Sequence, residues 1–227
     1  MTDPAQALIR VWDLPTRLFH WTLAVTLVGS VVSAKIGGNA MVWHMRFGLV
    51  VLALIAFRLL WGVWGGRWSR FASFIYAPAT VLRYLRGKAR PHEHLEVGHN
   101  PIGSFSVFAL LGFLALQVAT GLVADDEIAS TGPLNRFVSS ATAGLATGWH
   151  KAYGQWILIT LVVLHVAAVL FHLFKKRQNL IRPMLVGDKH LPTTTPASTD
   201  GLPQRLLALL LVMICAAGAV WVASLAP

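Results

Sequence analysis

Histidine is the residue type whose placement in this chain points most directly to chemistry. Five of the nine histidines lie within or at the edges of long apolar segments: His20, His44, His150, His165 and His172. An ionisable side chain is costly inside a bilayer, so a histidine kept there is expected to serve a function. Neutral imidazole binds metals through one ring nitrogen and exchanges a proton near neutral pH. Metal ligation and proton transfer are therefore the chemistries that these residues indicate.

The segments that must position these histidines are long enough to cross a membrane. The chain has 227 residues, of which 56% are hydrophobic and 12% charged, against about 25% charged in a soluble domain. The apolar residues gather into blocks of about 20 residues, the length that spans a hydrocarbon core as a helix. These blocks cover residues 18–34, 44–64, 102–124, 149–174 and 206–226. The sequence therefore predicts an all-α membrane protein.

The histidines divide the chain into a core and an added helix. Only the first four blocks carry them, which predicts a four-helix transmembrane bundle over residues 1–185. A stretch rich in Thr, Pro, Ser and Gly predicts a flexible linker over 186–203. A fifth, peripheral C-terminal transmembrane helix is expected over 204–227. Between the second and third helices, residues 71–86 suit an interfacial helix that begins at Pro78, and Asn100-Pro101 suits a helix cap.

The net charge of +10 follows membrane topology and does not indicate a nucleic-acid partner. Fourteen of the 19 Lys and Arg residues lie before the first helix or in the loops after the second and fourth. Lys35, Arg136 and Lys151 lie on the opposite side. By the positive-inside rule the N-terminus is cytoplasmic and the C-terminus lies on the outer side. We expect a multi-pass protein of a bacterial inner membrane, with its C-terminus in the periplasm. The expected surroundings are membrane lipid.

The depths of the histidines along their helices arrange them in two layers. His44 and His150 begin the second and fourth helices at the outer side, whereas His20 lies at the inner end of the first. His165 follows His150 by 15 residues, roughly 22 Å along a helix and about 60° from the same face. The prediction is an outer pair, His44 with His150, and an inner pair, His20 with His165.

Two imidazoles from facing helices are what a bis-histidine haem iron requires, with the macrocycle held between apolar walls. A mononuclear zinc or iron enzyme site would need three or four close ligands, usually with a carboxylate. The apolar blocks contain no Asp or Glu, and the chain has no C-x-x-C-H motif for covalent haem attachment. The sequence therefore predicts two non-covalent haem b groups, with His20, His44, His150 and His165 as metal ligands.

His172 is the second candidate for the inner ligand. It lies seven residues past His165, about 20° from the same face. Choosing it would separate the two ligands of the fourth helix by about 33 Å, more than the hydrocarbon thickness. His165 is therefore favoured. His172 is then expected to contact a haem propionate or to protonate a quinone at the inner surface.

Three arginines are candidates for binding haem propionates. Arg58 lies 14 residues after His44, at the depth of the inner layer. A buried guanidinium needs an anion, and a propionate would supply one in bidentate geometry; the alternative is that Arg58 snorkels to the interface. Arg17 and Arg46 are weaker candidates for the propionates of the inner and outer haems.

Several motifs stand in a recognisable order over about residues 8–185: Arg17-Leu-Phe-His20-Trp21, His44-Met-Arg-Phe-Gly48, Arg58-Leu-Leu-Trp61-Gly62, Gly98-His-Asn-Pro101 and His165-x-x-Ala168-x-x-x-His172. In this order they resemble the bacterial cytochrome b561 family, which includes the cytochrome b subunits of nickel–iron hydrogenases. The resemblance implies a four-helix bundle with two b haems that exchange electrons with quinone. Its ligand positions fall on His20, His44, His150 and His165.

These expectations give one leading hypothesis and two alternatives. The leading one is a transmembrane di-haem cytochrome of electron transport between the quinone pool and a periplasmic partner, either a c-type cytochrome or a dehydrogenase or hydrogenase. The second is a superoxide:ubiquinone oxidoreductase, in which Lys35 and Arg46 attract the anion, so the sequence leaves open whether the chain is itself an enzyme. The third is a haem-free transporter with a histidine proton relay, which should show broken helices or inverted repeats.

Overall fold

The computed structural model describes residues 5–90, 93–128 and 130–226, and helices dominate it. Within these residues, five helical segments are long and apolar enough to cross a membrane: Leu14–Ile36, Gly38–Trp64, Pro101–Val123, Ser140–Phe174 and Leu202–Ala223. The all-α, multi-pass membrane fold predicted from the sequence is thereby confirmed.

The elements follow the predicted order closely. The helices are α1 (Leu14–Ile36), α2 (Met41–Trp64), α3 (Pro78–Leu85), α4 (Pro101–Val123), α5 (Ser140–Gly148), α6 (Gln155–Phe174), α7 (Ile181–Val186) and α8 (Leu202–Ala223). A π-helical segment, Trp149–Gly154, joins α5 to α6. Two strands, β1 (Gln6–Arg10) and β2 (Asp188–Pro192), form an antiparallel pair.

Polar caps and prolines determine where the helices begin. The carboxylate of Asp13 accepts the N–H of Thr16 at 2.8 Å, one turn into α1. The side-chain oxygen of Asn100 accepts the N–H of Gly103 at 2.8 Å, so the predicted cap of α4 is confirmed. Both bonds satisfy a backbone donor that lacks a partner within its helix. Helix α3 begins at Pro78, as expected.

The chain divides into two compact units. The first unit comprises Met1–Leu18, Arg58–Phe108 and Leu164–Leu209, and the second comprises Phe19–Phe57, Ala109–Val163 and Leu210–Pro227. In the second unit, side chains of α2, α4 and α6 form one buried aliphatic cluster: Val51 and Ile55 of α2, Leu114 of α4 and Leu158 of α6. Leu23 and Leu27 of α1 pack against it. Four helices therefore share the core of this unit.

The first unit contains a buried carboxylate that sequence analysis missed. Asp13 is fully buried and accepts hydrogen bonds from the indole N–H of Trp61 at 3.0 Å, the N–H of Gly66 at 3.0 Å and the hydroxyl of Ser69 at 2.6 Å, besides its bond to Thr16. A buried charge is tolerated when it is this fully hydrogen-bonded. Asp13 therefore ties the start of α1 to the end of α2 and the turn that follows. Its position directly before Leu14-Pro15 was the available signal.

The segment expected to be a flexible linker, 186–203, is ordered against the N-terminus in the first unit. Strand β2 pairs with β1 from Gln6 opposite Pro192 to Arg10 opposite Asp188. The hydroxyl of Ser198 donates to the carbonyl of Val11 at 2.7 Å. The difference from the expectation arises because this polar segment finds hydrogen-bond partners elsewhere in the fold, which local composition does not reveal.

Candidate functional site

The structure brings together the two histidines of the predicted outer pair, both of which belong to the second unit. His44 lies in the first turn of α2, and His150 lies in the π-helical segment. Their ring centroids are 5.9 Å apart, with the ring planes at 80°. Two metal–imidazole bonds of roughly 2 Å each, plus the distance from each nitrogen to its ring centre, account for a separation of this size. The pair therefore fits one metal ion held between two imidazoles.

Hydrogen bonds fix which ring nitrogen of each histidine carries the proton. The Nδ1 of His44 lies 2.9 Å from the carbonyl oxygen of Ser30, and the Nδ1 of His150 lies 2.9 Å from that of Gln117. A carbonyl oxygen only accepts, so each Nδ1 must be the donor. Each Nε2 is then left with its lone pair, which is the tautomer that a metal ligand needs.

Gln117 makes hydrogen bonds to His150 through both its side chain and its main chain. Besides accepting from the ring through its carbonyl, it donates its side-chain amide to the carbonyl of His150 at 2.9 Å. Two glycines make room for this arrangement. A Cβ at Gly121 would lie 2.9 Å from Cε1 of His150, and a Cβ at Gly154 would lie 2.0 Å from Oε1 of Gln117. The π-helical turn, a feature often found at functional sites, thus sits where the imidazole is positioned.

A cavity of about 700 Å³ opens beside both imidazoles, and all its lining residues belong to the second unit. This volume lies within the roughly 300–1,000 Å³ typical of cofactor and ligand sites. Aliphatic side chains form most of the wall, and Gly48 contributes a stretch where an added Cβ would meet nothing within 4 Å. Ala223 and Ala226 also line the cavity, so the C-terminal segment, expected to be peripheral, forms part of this wall. The donor set and the apolar walls fit a haem.

Arg58, in the first unit, is buried against an aromatic ring. The residue is 3% exposed, and its guanidinium carbon lies 4.6 Å from the ring centre of Phe71. Among the residues that the structure describes, its buried NH1 has no hydrogen-bond partner. A Cβ at Gly62 would lie 2.0 Å from Phe71, so glycine permits this packing. The burial argues against snorkelling to the interface, and the orphaned nitrogen suits a carboxylate ligand.

The two histidines of the predicted inner pair lie in different units, so their pairing stays a prediction. His20 is in the second unit, where its ring packs edge-on against Trp21 at 5.0 Å. His165 is in the first unit, seven residues before His172 on α6. The Nδ1 of His172 lies 3.1 Å from the side-chain oxygen of Gln178, a contact with the segment that follows α6.

The two weaker propionate candidates have other contacts. Arg17 donates a hydrogen bond to the carbonyl of Leu185 in the first unit. The guanidinium of Arg46 lies 4.9 Å from the ring centre of Trp43, and Arg46 is not one of the described residues that line the cavity. Two cations that sequence analysis did not assign to a propionate, Lys35 and Lys151, do line it.

Comparison with known proteins assigns the family. Residues 11–187 match the family model described as prokaryotic cytochrome b561. The chain belongs to the prokaryotic cytochrome b561 family. It is therefore a b-type cytochrome of the membrane, carrying haem b and transferring electrons.

Three curated relatives carry the same name, probable Ni/Fe-hydrogenase B-type cytochrome subunit. The relative from Cupriavidus necator is 28% identical over 211 residues, which cover 78% of this chain and 85% of the relative. Those from Rhizobium leguminosarum bv. viciae and Azotobacter vinelandii are 22% and 23% identical, each over 80% of this chain and 88% of the relative. No solved structure matches the chain significantly.

Proposed function

We propose that this cytochrome b561 family member is a di-haem electron carrier that links a periplasmic hydrogenase to the quinone pool. The observation that carries the proposal is the pair of imidazoles, 5.9 Å apart, whose Nδ1 protons are both committed to helix carbonyls. Two rings oriented in this way, beside an apolar cavity of about 700 Å³, would hold one haem.

His44 and His150 are the residues that would hold the outer haem. When bound, the haem supplies reversible one-electron chemistry at its iron. The protein's contribution is to fix both rings through Ser30 and Gln117, to present Nε2 of each, and to exclude water with aliphatic walls. Burial and hydrogen bonding of the axial ligands set the reduction potential.

His20 and His165 are the proposed ligands of the inner haem. Support comes from their depths in the sequence and from Arg58, whose buried NH1 lacks a partner among the described residues and suits a propionate. His172 is then proposed to contact a propionate or to deliver a proton to quinone. Its ring is held at one nitrogen by Gln178.

The names of the relatives favour a hydrogenase as the periplasmic partner, since all three are described as hydrogenase cytochrome subunits. A c-type cytochrome or another dehydrogenase is the alternative partner on the same route. The comparisons do not favour the superoxide:ubiquinone alternative. The bias of Lys and Arg supports a cytoplasmic N-terminus and a periplasmic C-terminus in the inner membrane, and five spans are consistent with termini on opposite sides.

The first experiment counts haems in the purified protein and its histidine variants. We expect two haem b groups per chain with six-coordinate, low-spin optical bands. His44→Ala and His150→Ala should each lose the outer haem, and His20→Ala and His165→Ala the inner one. His172→Ala should keep both haems, and so should His190→Ala, a control variant in strand β2. A colourless wild-type protein would refute the proposal, and loss of the inner haem in His172→Ala would reassign that ligand.

A second experiment tests the partner. In membranes that contain this chain and its hydrogenase, hydrogen should reduce the haems, and added quinone should reoxidise them. His150→Ala should block quinone reduction by hydrogen while leaving the hydrogenase active with a soluble dye. If the haems stay oxidised under hydrogen but are reduced by a c-type cytochrome, the partner is the c-type cytochrome and not the hydrogenase.

A further inference from the structure

The cavity beside His44 and His150 has a cationic rim. Of the three cations assigned by sequence to the outer side, Lys35 and Lys151 line this cavity, whereas Arg136 does not appear among its described lining residues. Lys35 is the last residue but one of α1, and Lys151 follows His150 directly in the π-helical segment. Lys35 therefore stands at the end of α1, and Lys151 stands next in the chain to one of the two paired histidines.

The surroundings of Lys35 leave it able to bind an anion. The Nζ of Lys35 donates to the side-chain oxygen of Gln155 at 3.1 Å and lies 5.1 Å from the ring centre of Trp156. A lysine has three N–H donors, and the bond to Gln155 uses one. Asp126 also lines the cavity, but its Oδ1 accepts the N–H groups of Ile128 and Ser130 in the adjoining loop.

The charges at this rim match the chemistry of the proposed ligand. Haem b is a flat apolar macrocycle with two carboxylates on one edge, and a carboxylate entering a site of low polarity needs a cationic or hydrogen-bonding partner. We propose that Lys35 and Lys151 bind the two propionates of the outer haem. This inference rests on the proposed haem site, and it assigns the role that the sequence suggested for Arg46 to these two lysines.

The sharpest test compares haem with its dimethyl ester, which has the same macrocycle but no ionised carboxylates. Full-length protein in detergent, depleted of haem and carrying His20→Ala so that only the outer site loads, is titrated with each compound. The wild-type outer site should prefer haem over the ester. In Lys35→Gln/Lys151→Gln this preference should fall by roughly two- to fivefold for each lysine, as expected for partly exposed ion pairs.

Two further variants separate the lysines from other cations. Arg136→Gln removes an outer-side cation outside the cavity lining and should leave the preference unchanged. Arg46→Gln tests the competing assignment. A preference that survives in the double lysine variant, or that is lost in Arg46→Gln instead, overturns the inference while leaving the haem proposal intact.

A potentiometric titration of the fully loaded protein gives an independent readout. Removing two positive charges near the propionates should favour the oxidised haem, so the outer midpoint potential should fall in the double lysine variant and stay constant in Arg136→Gln. An unchanged potential in the double variant counts against the inference. Failure of the wild-type protein to bind haem at all would instead refute the proposed function.

Discussion

Replacing Gly121 by alanine should displace the imidazole of His150. The new Cβ would lie 2.9 Å from Cε1 and 3.3 Å from Nδ1 of that ring, whereas ordinary contact begins at 3.4 Å. The ring must therefore retreat by about 0.5 Å (3.4 minus 2.9). Gly121 lies in the last turn of α4, and the loop that follows holds this turn, because the carbonyl of Leu122 accepts the N–H of Leu134 at 2.8 Å.

A retreat of this size is large on the scale of the hydrogen bond that orients the ring. The bond from Nδ1 to the carbonyl of Gln117 is 2.9 Å long, and lengthening it by the same amount brings it to the outer limit of useful geometry. Its loss would remove about 0.5–1.5 kcal/mol of net interaction. Losing an outer-shell partner of a ligating histidine typically weakens metal affinity by about 10- to 100-fold. Gly121→Ala should therefore lose the outer haem during purification and keep its fold.

Gly112→Ala, on the same helix, is the matched control. A Cβ at Gly112 would meet nothing within 4 Å, and alanine favours a helix over glycine by up to about 1 kcal/mol. The assay is the haem-to-polypeptide ratio, with helix content by circular dichroism as the check on folding. Equal haem content in the two folded variants would refute the reasoning about His150.

Three other outcomes are expected. Gly48→Leu should fill part of the cavity, although its Cβ would contact no other atom within 4 Å. The number of haems per polypeptide should therefore fall by one, while the circular dichroism stays unchanged. Asp13→Asn should leave at least one of its buried N–H or O–H donors unpaired and lower the free energy of unfolding by about 1–3 kcal/mol. Asp125→Asn should lower it less, because that carboxylate lies at a partly exposed position and accepts the N–H of Glu127. Burial, with a smaller effect of Glu96, raises the pKa of Tyr76 from 10.0 to about 12. The stability that the neutral Tyr76 side chain contributes is therefore complete below pH 10 and is lost as the pH rises through 12. Tyr76→Phe should remove one tyrosinate absorbance step near pH 12.

The parts of the fold that sequence predicted are those set by local chemistry. Each transmembrane helix follows from an apolar block of sufficient length, and its start follows from a cap such as Asn100 before Pro101. The closeness of His44 and His150 was predictable for a similar reason. His44 and His150 each stand at the start of an apolar block, and that position alone sets their depth.

The parts that escaped prediction depend on contacts between distant residues. Composition marks 186–203 as flexible, but Ser198 and Asp200 find partners near the N-terminus, at Val11 and Arg10. The π-helical turn at Trp149–Gly154 is a local departure from α-helical geometry that the sequence analysis, which assumed a regular helix from residue 149, did not predict. Depth along a helix also says nothing of the contact that Arg46 makes, with its guanidinium 4.9 Å from the ring centre of Trp43. Which way a side chain leaves its helix is decided by packing.

The choice of main-chain carbonyls as partners for both imidazoles suits a site inside a bilayer. Many metal-binding histidines in water-soluble proteins donate to a carboxylate, but a carboxylate buried in a span would itself need compensation. A helix carbonyl has two lone pairs, so the oxygens of Ser30 and Gln117 can accept an imidazole N–H alongside their helical bonds. The acceptor adds no charge, and no side-chain substitution at either position deletes it. This arrangement fixes the tautomer of each ring using only groups that the transmembrane helices already contain.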